Sequence, residues 1–179
     1  MSFFELIEKR RSIRKYEQRA VEPEKAAKIM EAALRAPSSR DRQPWEFVVA
    51  TNAEIIKRLA QAKERSISFL AEAPMAVVVC ADAEKSDIWI EDASIASTFI
   101  ILAAEALGLG SCWIQIRGRK QSGGKSAEQF IRETLNIPTR LKILAIIALG
   151  YAGEEKLGHS AEGLPRRKVF LNYHGNKFQ

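Results

Sequence analysis

Residues 87–116, with the sequence DIWIEDASIASTFIILAAEALGLGSCWIQI, contain the longest helical pattern of the chain and the strand that follows it. After Asp92, only Glu105 is charged before that strand begins. A helix that is apolar on nearly every face lies either at the centre of a core or at a subunit interface. Gly108 is the residue type expected just past a helix end, so we predict a helix from residue 87 to Leu107.

On both sides of this stretch, the pattern alternates between helices and strands. Short runs rich in β-branched and aromatic residues predict strands, and apolar residues at helical spacing behind capping residues predict helices. The strands are predicted over 45–50, 75–81, 111–116 and 143–151, and the helices over 23–36, 54–62, 87–107 and 126–135, with a first helix that opens at Ser2. This order predicts an α/β (α+β) sandwich in which helices cover a central mixed sheet.

The composition suits one folded domain spanning residues 1–179. Hydrophobic residues make up 46% of the chain and charged residues 28%, which is enough for a full core. No repeat, linker or change of composition divides the chain. The N-terminal sequence lacks the apolar run of a signal peptide, and the apolar stretch 144–149 is too short to span a bilayer. We therefore expect a cytoplasmic protein that does not associate with membranes.

Charge and cysteine usage narrow the function classes. The formal net charge of +6 suits an anionic ligand such as a phosphate, and also nucleic acid. A basic nucleic-acid-binding module is only a distant alternative, because no base-stacking motif or helix-turn-helix pattern is present. Cys80 and Cys112 lie in apolar runs, so we expect buried free thiols. These cysteines and the two histidines, His159 and His174, lack ligand spacing, so no metal site is expected.

Several familiar motifs fail on spacing. Residues 124–126, Gly-Lys-Ser, resemble the end of a phosphate loop, but the required earlier glycine is replaced by Arg119. Residues 108–110 start like a dinucleotide fingerprint, but Trp113 stands where the third glycine belongs. No G-x-S-x-G elbow is present. The acidic residues within 82–92 are interpreted as a solvated helix start, because carboxylates favour that end of a helix.

An arginine cluster is the first motif that can carry chemistry. Three guanidinium groups, Arg10, Arg11 and Arg14, flank Ser12 at the end of the first helix. Guanidinium groups bind phosphate in a two-pronged geometry and never lose their charge. The tail supplies a second basic cluster at 166–168. Each cluster taken alone is equally consistent with a solvated basic surface.

A polar loop is the second such motif. It runs from Ala36 to Trp45, and its serines, backbone amides and side-chain amide can face the heteroatoms of a flat ring. An ordinary connecting loop is the alternative for this segment. Two further landmarks are the strand entry LGSCWIQ at 109–115 and the Gly150-Tyr151 pair that closes the last strand.

Taken together, these four segments resemble the nitroreductase family of flavoproteins. RRSIR looks like the family's R-R-S-x-R, and APSSRDRQPWEF looks like its A-P-S-x-x-N-x-Q-P-W. The apolar helix followed by LGLGSCWIQ, and LNIP followed by ALGYAGE, match the remaining landmarks in order. The resemblance covers nearly the whole chain, from Phe4 to about Lys177.

This resemblance implies a nitroreductase-like fold and a homodimer that exchanges its C-terminal tail and binds FMN at the subunit interface. Arginines and serine of the first cluster would hold the phosphate, ribityl chain and N1/O2 edge, the polar loop would approach from the partner, and the strand backbone would lie near N5. The implied cofactor-binding residues are Arg10, Arg11, Ser12, Arg14, Pro37, Ser38, Ser39, Asp41, Gln43, Ile114, Gln115, Gly150, Tyr151, Arg166 and Arg167. No residue is assigned as catalytic, because the flavin N5 would carry the chemistry.

The implied activity is electron transfer from NADH or NADPH to nitroaromatics, quinones or related small molecules, by a two-step exchange. The alternatives within the resemblance are an FMN-dependent reductive dehalogenase and a flavin-modifying enzyme. Asp41 departs from the family's usual asparagine; we expect it either to face the flavin or to turn toward Arg40 or Arg42. Thr98-Phe99 replaces a common Gln-Asn pair, and the basic stretch 117–125 has no place in the family pattern.

Overall fold

Three of the described helices begin at capping residues that the sequence supplies. In the computed structural model, which describes residues 1–65 and 67–178, the Ser2 hydroxyl accepts from the Glu5 amide and the Glu5 carboxylate accepts from the Ser2 amide. Asn52 and Ser126 cap two later helices through their side-chain oxygens. The helices are α1 (Phe3–Lys9), α2 (Pro23–Leu34), α3 (Ala53–Leu59), α4 (Ser68–Ala71), α5 (Trp89–Ala106) and α6 (Ala127–Leu135).

The described residues form a four-stranded sheet in the order β1-β2-β4-β3. Every neighbouring pair of these four strands is antiparallel, so the prediction of a mixed sheet is wrong for them, and an isolated bridge between Ser12 and Ser111 is parallel. The physical reason is the position of β4, which lies between β2 and β3. Those two strands run in the same direction and are connected through α5, but they never touch. The strands are β1 (Trp45–Ala50), β2 (Met75–Asp82), β3 (Gly110–Gln115) and β4 (Leu141–Gly150).

Helices cover both faces of the sheet, which confirms the predicted sandwich. On one face α3, α4 and α6 bury residues such as Leu59 and Ile131. On the other face α2 and α5 bury residues such as Ile29 and Ile100. Because both faces are covered, β2 is buried along its whole length, as its uninterrupted apolar sequence predicts. Cys80 lies in β2 as a buried free thiol, and burial raises its pKa to about 12.

A single copy of the chain leaves many large apolar side chains in contact with solvent. They occur on α1, at Ile88 and Ile95 near the start of α5, and along the tail, which forms short turns such as Ala161–Gly163 and Arg166–Lys168. In the described part of the chain, no helix combines the length and apolar character that crossing a bilayer requires. The exposed apolar residues in these regions include Phe3, Phe4, Ile7, Ile88, Ile95, Leu157, Leu164, Val169, Leu171, Tyr173 and Phe178.

Candidate functional site

The arginine-rich segment that follows α1 runs along the start of β3. Arg10 ends α1 with extended backbone angles, φ −55° and ψ 127°. Ser12 forms a parallel bridge with Ser111, and the Ile13 amide donates to the Ser111 carbonyl at 2.9 Å. Since β3 is the last strand of the sheet, this segment extends the sheet beyond its outer edge.

Two glycines make room for this segment. Gly110 and Gly150 are paired across β3 and β4. A Cβ on Gly110 would lie 2.8 Å from Cβ of Ile13, and a Cβ on Gly150 would lie 2.6 Å from Cδ of Pro74. The Gly150 Cβ would also approach within 3.0 Å of Tyr16, whose buried hydroxyl donates to the Ile13 carbonyl at 2.8 Å. Gly150 therefore has a packing role, and its contact with a cofactor stays a prediction.

Two charged residues that the sequence analysis did not select hold the segment in place. The Arg14 amide donates to Oε1 of Glu154 at 2.6 Å, and Lys156 Nζ donates to the Ser12 carbonyl at 2.7 Å. Lys156 and Glu154 also form an ion pair at 2.9 Å. The hydrogen bond from the Arg14 backbone, followed by that from Lys156, lowers the pKa of Glu154. Both bonds to the segment use its backbone, so they leave its side chains available.

The guanidinium groups of this segment differ in their availability. Within the described residues, neither Arg10 nor Arg14 forms an ion pair. The Arg14 guanidinium lies 5.9 Å from the centre of the Phe69 ring, while Arg11 Nη1 donates to the Leu157 carbonyl. Unpaired guanidinium groups are well suited to bind a phosphate. Arg10 and Arg14 are therefore the better candidates, and Arg11 is already engaged.

A groove of about 620 Å³ lies beside the segment, next to the C-terminal end of α5. Cationic and acidic side chains line it in equal number, and burial raises the pKa of the Glu105 carboxyl there. This balance makes the groove a poorer phosphate site than the unpaired Arg10 and Arg14. Its charged lining residues are Lys9, Arg11, Lys156, Glu105, Glu154 and Glu155.

A buried carboxylate fastens the polar loop between α2 and β1 to α5. Asp92 is 1% exposed. Its Oδ1 accepts from the Ser39 amide and its Oδ2 accepts from the Ser86 hydroxyl, both at 2.8 Å. The interpretation of the acidic residues here as a solvated helix start is therefore wrong for Asp92. The loop shields this carboxylate from solvent, and no local sequence pattern predicts that Asp92 is buried.

The same loop holds three residues in left-handed backbone conformations. Arg40, Asp41 and Gln43 have φ of 52°, 53° and 44°. Such conformations are costly for residues other than glycine and cluster at binding sites. The Gln43 amide donates to the Ser38 hydroxyl at 3.0 Å, and Gln43 Nε2 donates to Oδ1 of Asp41 at 2.8 Å. Asp41 thus bonds to Gln43, whereas Arg42 pairs with Asp87.

The outer edge of β3 carries the residues predicted to lie near the flavin N5. Ile114 is buried, and the Gln115 side chain donates to the Arg117 carbonyl at 3.0 Å and accepts from Nε1 of Trp113 at 3.1 Å. Beyond Ser111, no other strand of the described chain pairs with this edge. Its outward backbone amides are therefore available to a ligand.

Tyr151 makes its polar contacts with the start of α2. Its hydroxyl accepts from Lys25 Nζ and donates to the Glu22 carboxylate, each at 2.8 Å. The Arg19 guanidinium lies 3.8 Å from the centre of the Tyr151 ring. These contacts occupy the hydroxyl within one chain, so a cofactor contact would have to involve the ring or the backbone.

The structure brings some predicted site residues together and leaves others apart. The segment 10–14 contacts the start of β3 and residues 154–157. No described hydrogen bond or ion pair joins the loop 37–43 to this group. Arg166 and Arg167 lie in an exposed turn and form no ion pair within the described residues. Their convergence on a shared site stays a prediction that involves a second copy.

Comparison with known proteins identifies the family. The family model described as "Nitroreductase family" matches residues 7–69 and 63–151. A solved structure described as an FMN-dependent nitroreductase from Clostridium difficile is 45% identical, with a TM-score of 0.93, and the match covers 96% of this chain and 99% of that chain. A protein of Archaeoglobus fulgidus, whose name joins NADH dehydrogenase and NAD(P)H nitroreductase, is 37% identical over 161 residues, covering 88% of this chain and 89% of the relative.

A more distant relative carries a different activity in its name. The iodotyrosine deiodinase of Thermotoga neapolitana is 21% identical over 198 residues, covering 95% of this chain and 96% of its own length. The family model spans well over half of the chain, and the 37% identical relative is matched along most of its length. The chain therefore belongs to the nitroreductase family.

Proposed function

We propose that this chain is an FMN-dependent oxidoreductase that passes electrons from NADH or NADPH to small acceptors such as nitroaromatics and quinones. Donor and acceptor would use the same site in turn. The observation that carries the proposal is the pair of unpaired guanidinium groups, Arg10 and Arg14, beside the open edge of β3. Relatives named FMN-dependent nitroreductase and NAD(P)H nitroreductase support the cofactor and the donor. The proposal places the whole chain, as one domain, in the cytoplasm.

The residues present fit FMN at both of its ends. Arg10 and Ser12 would hold the phosphate and ribityl chain, and Arg14 would lie at the N1/O2 edge of the ring. A cation there favours negative charge on that edge by direct Coulomb attraction. The free amides beside Ile114 and Gln115 would face N5. When bound, FMN supplies the redox chemistry, accepting a hydride from the donor and delivering electrons to the acceptor.

A second copy of the chain would complete the site. The exposed apolar residues of α1, α5 and the tail are too numerous for scattered surface residues, and large exposed apolar patches mark interaction sites. Association across α5 would explain why this helix is apolar on nearly every face. The partner would then supply the loop 37–43, with Pro37, Ser38 and Ser39 near the ring. Arg166 and Arg167 of the exchanged tail would reach the phosphate.

Anaerobic reduction tests this proposal most directly. The purified protein should be yellow, and its absorbance near the flavin band should bleach with NADH or NADPH and return when a nitroaromatic or quinone is added. A colourless protein that gains no absorbance with added FMN would overturn the proposal. A yellow protein that neither nucleotide bleaches would instead indicate a flavin carrier.

Removing the unpaired cations tests the site assignment. The double variant Arg10→Ala/Arg14→Ala should lose bound FMN, because two charged contacts to the cofactor disappear together. The double variant Arg35→Ala/Arg58→Ala removes two exposed arginines elsewhere and should keep normal occupancy. Flavin content per chain after gel filtration measures both. Normal FMN content in the first variant would contradict the assignment.

Reductive dehalogenation is the second candidate, favoured by the distant relative named iodotyrosine deiodinase. It would use the same cofactor site and donor. Incubating the reduced protein with iodotyrosine and measuring released iodide discriminates the two activities. We expect nitroaromatic reduction to exceed iodide release. The reverse order would replace the main proposal with dehalogenation.

A further inference from the structure

The loop between β3 and α6 is a basic surface that the proposed cofactor site does not use. Residues 117–125, RGRKQSGGK, contain four cations. Lys125 pairs with Glu133 at 2.8 Å. The other three, Arg117, Arg119 and Lys120, are exposed and form no ion pair within residues 1–65 and 67–178. Three adjacent, unneutralised cations create a local field that attracts anions.

Backbone hydrogen bonds give this loop a defined shape. Lys120 forms an antiparallel bridge with Ser126, and the Gln121 amide donates to the Lys125 carbonyl at 2.9 Å. The loop is also tied to the segment before α4. The Glu64 amide donates to the Lys120 carbonyl at 2.9 Å, and the Ser122 hydroxyl donates to the Glu64 carbonyl at 3.1 Å. The backbone that carries the cations is therefore held in place relative to the rest of the fold.

The loop begins at the β3 edge of the candidate cofactor site. The Gln115 side chain on this edge donates to the Arg117 carbonyl at 3.0 Å. The loop therefore starts at the β3 edge of the candidate site, and no described hydrogen bond, ion pair or ring contact joins its cations to Arg14. A ligand that reaches the ring region while carrying negative charge at its far end would meet them.

We propose that Arg119 and Lys120 bind the additional phosphate of NADPH and make the protein prefer NADPH to NADH. This inference rests on the proposed function. A ribose phosphate carries between one and two negative charges near neutral pH. The proposed acceptors, nitroaromatics and quinones, carry no anionic group that these cations could bind. A nucleic acid is a poorer fit, because the loop has no aromatic side chain on which bases could stack.

The test compares the two nucleotides in three proteins. In the wild type, kcat/KM should be higher for NADPH than for NADH. In the double variant Arg119→Gln/Lys120→Gln, kcat/KM should fall about tenfold for NADPH and less than twofold for NADH. The reason is that each exposed ion pair between a cation and the phosphate contributes up to about fivefold. The control Lys28→Gln/Lys142→Gln removes two exposed lysines elsewhere and should change neither value.

A binding measurement removes the dependence on turnover. Adenosine 2′,5′-diphosphate carries the distinguishing phosphate without a nicotinamide, and its Kd by calorimetry should rise in the double variant to the same extent as the kinetic loss. Added salt should weaken its binding to the wild type more than to the variant, because exposed charges are screened. Equal losses for NADPH and NADH, or an unchanged Kd, would overturn the inference. Failure of both nucleotides to reduce the protein would instead overturn the proposed function.

Discussion

Glu154 and Lys156 position the arginine-rich segment 10–14 without occupying its side chains. Each bonds to the backbone of the segment, at Arg14 and at Ser12, so neither occupies the guanidinium groups of Arg10 and Arg14. The pKa of Glu154 is lowered, chiefly by the Arg14 amide. A carboxyl with a lowered folded pKa stabilises the fold at pH above its ordinary value, and this contribution disappears as pH falls through the lowered value.

Removing the Glu154 charge should therefore weaken cofactor binding. In Glu154→Gln, we expect the Kd for FMN to rise roughly tenfold, about the loss of one charge-assisted hydrogen bond. Titrating apoprotein with FMN and following flavin fluorescence measures this. The ratio of the variant Kd to the wild-type Kd should hold at neutral pH and decline only below the ordinary glutamate pKa, because the FMN phosphate titrates alike with both proteins. Glu155→Gln is the control, because that neighbour makes no described hydrogen bond or ion pair; equal affinities in the two variants would contradict the role.

The sequence predicts the arginines of this site but not their supports. RRSIR is a local pattern whose residue types suit a phosphate, and together with the other motifs of the nitroreductase family it predicts the phosphate site. Glu154 bonds to a backbone amide 140 residues away, and Asp92 bonds to one 53 residues away. Nothing in the neighbouring sequence distinguishes these two carboxylates from solvated ones. Their roles appear only once the fold brings distant segments together.

At the scale of elements, local features were predictable and strand order was not. Most helix and strand limits fall within one to three residues of the predicted ones, because caps, prolines and glycines act locally. The four-residue α4 is too short to show periodicity and was not predicted. The insertion of β4 between β2 and β3 depends on contacts far apart in sequence, so the helix and strand pattern could not reveal an antiparallel sheet.

The junction between the polar loop and α5 depends on Asp92. In Asp92→Ala, the Ser39 amide and the Ser86 hydroxyl lose their acceptor, and the free energy of unfolding should fall by about 3 kcal/mol. Urea denaturation followed by circular dichroism measures this. Glu91→Gln changes an exposed neighbour in the same helical turn and should stay within about 0.5 kcal/mol of the wild type. A stability of Asp92→Ala equal to that control would show that the loop is held by other contacts.

At the scale of the whole molecule, the distribution of exposed apolar residues favours association of two copies. Ile95 on α5 and Ile55 on α3 are exposed to nearly the same extent, 39% and 38%. Only α5 lies in the region that the proposed dimer would bury. The two isoleucines are therefore a matched pair for distinguishing an interface from an ordinary surface.

A glutamate introduced at each of the two isoleucines distinguishes an interface position from an ordinary surface position. Ile95→Glu should convert the dimer to a monomer and release FMN, because an unpaired charge is costly to bury in an apolar interface. Ile55→Glu should remain dimeric and yellow. Sedimentation velocity reports the mass, and flavin absorbance in the same run reports the cofactor. Dimers of unchanged stability in both variants would place the interface elsewhere.

The central position of β4 also governs the order of events during synthesis. β3 pairs with β4 along its length, and β2 pairs with β4 on one side, so neither strand can complete its hydrogen bonds until residue 150 has left the ribosome. Until then, the uninterrupted apolar strand β2 has one unpaired edge, which is the kind of surface that aggregates or recruits chaperones. Nascent chains stalled before residue 141 should be cut readily by protease, and chains released after residue 150 should resist it.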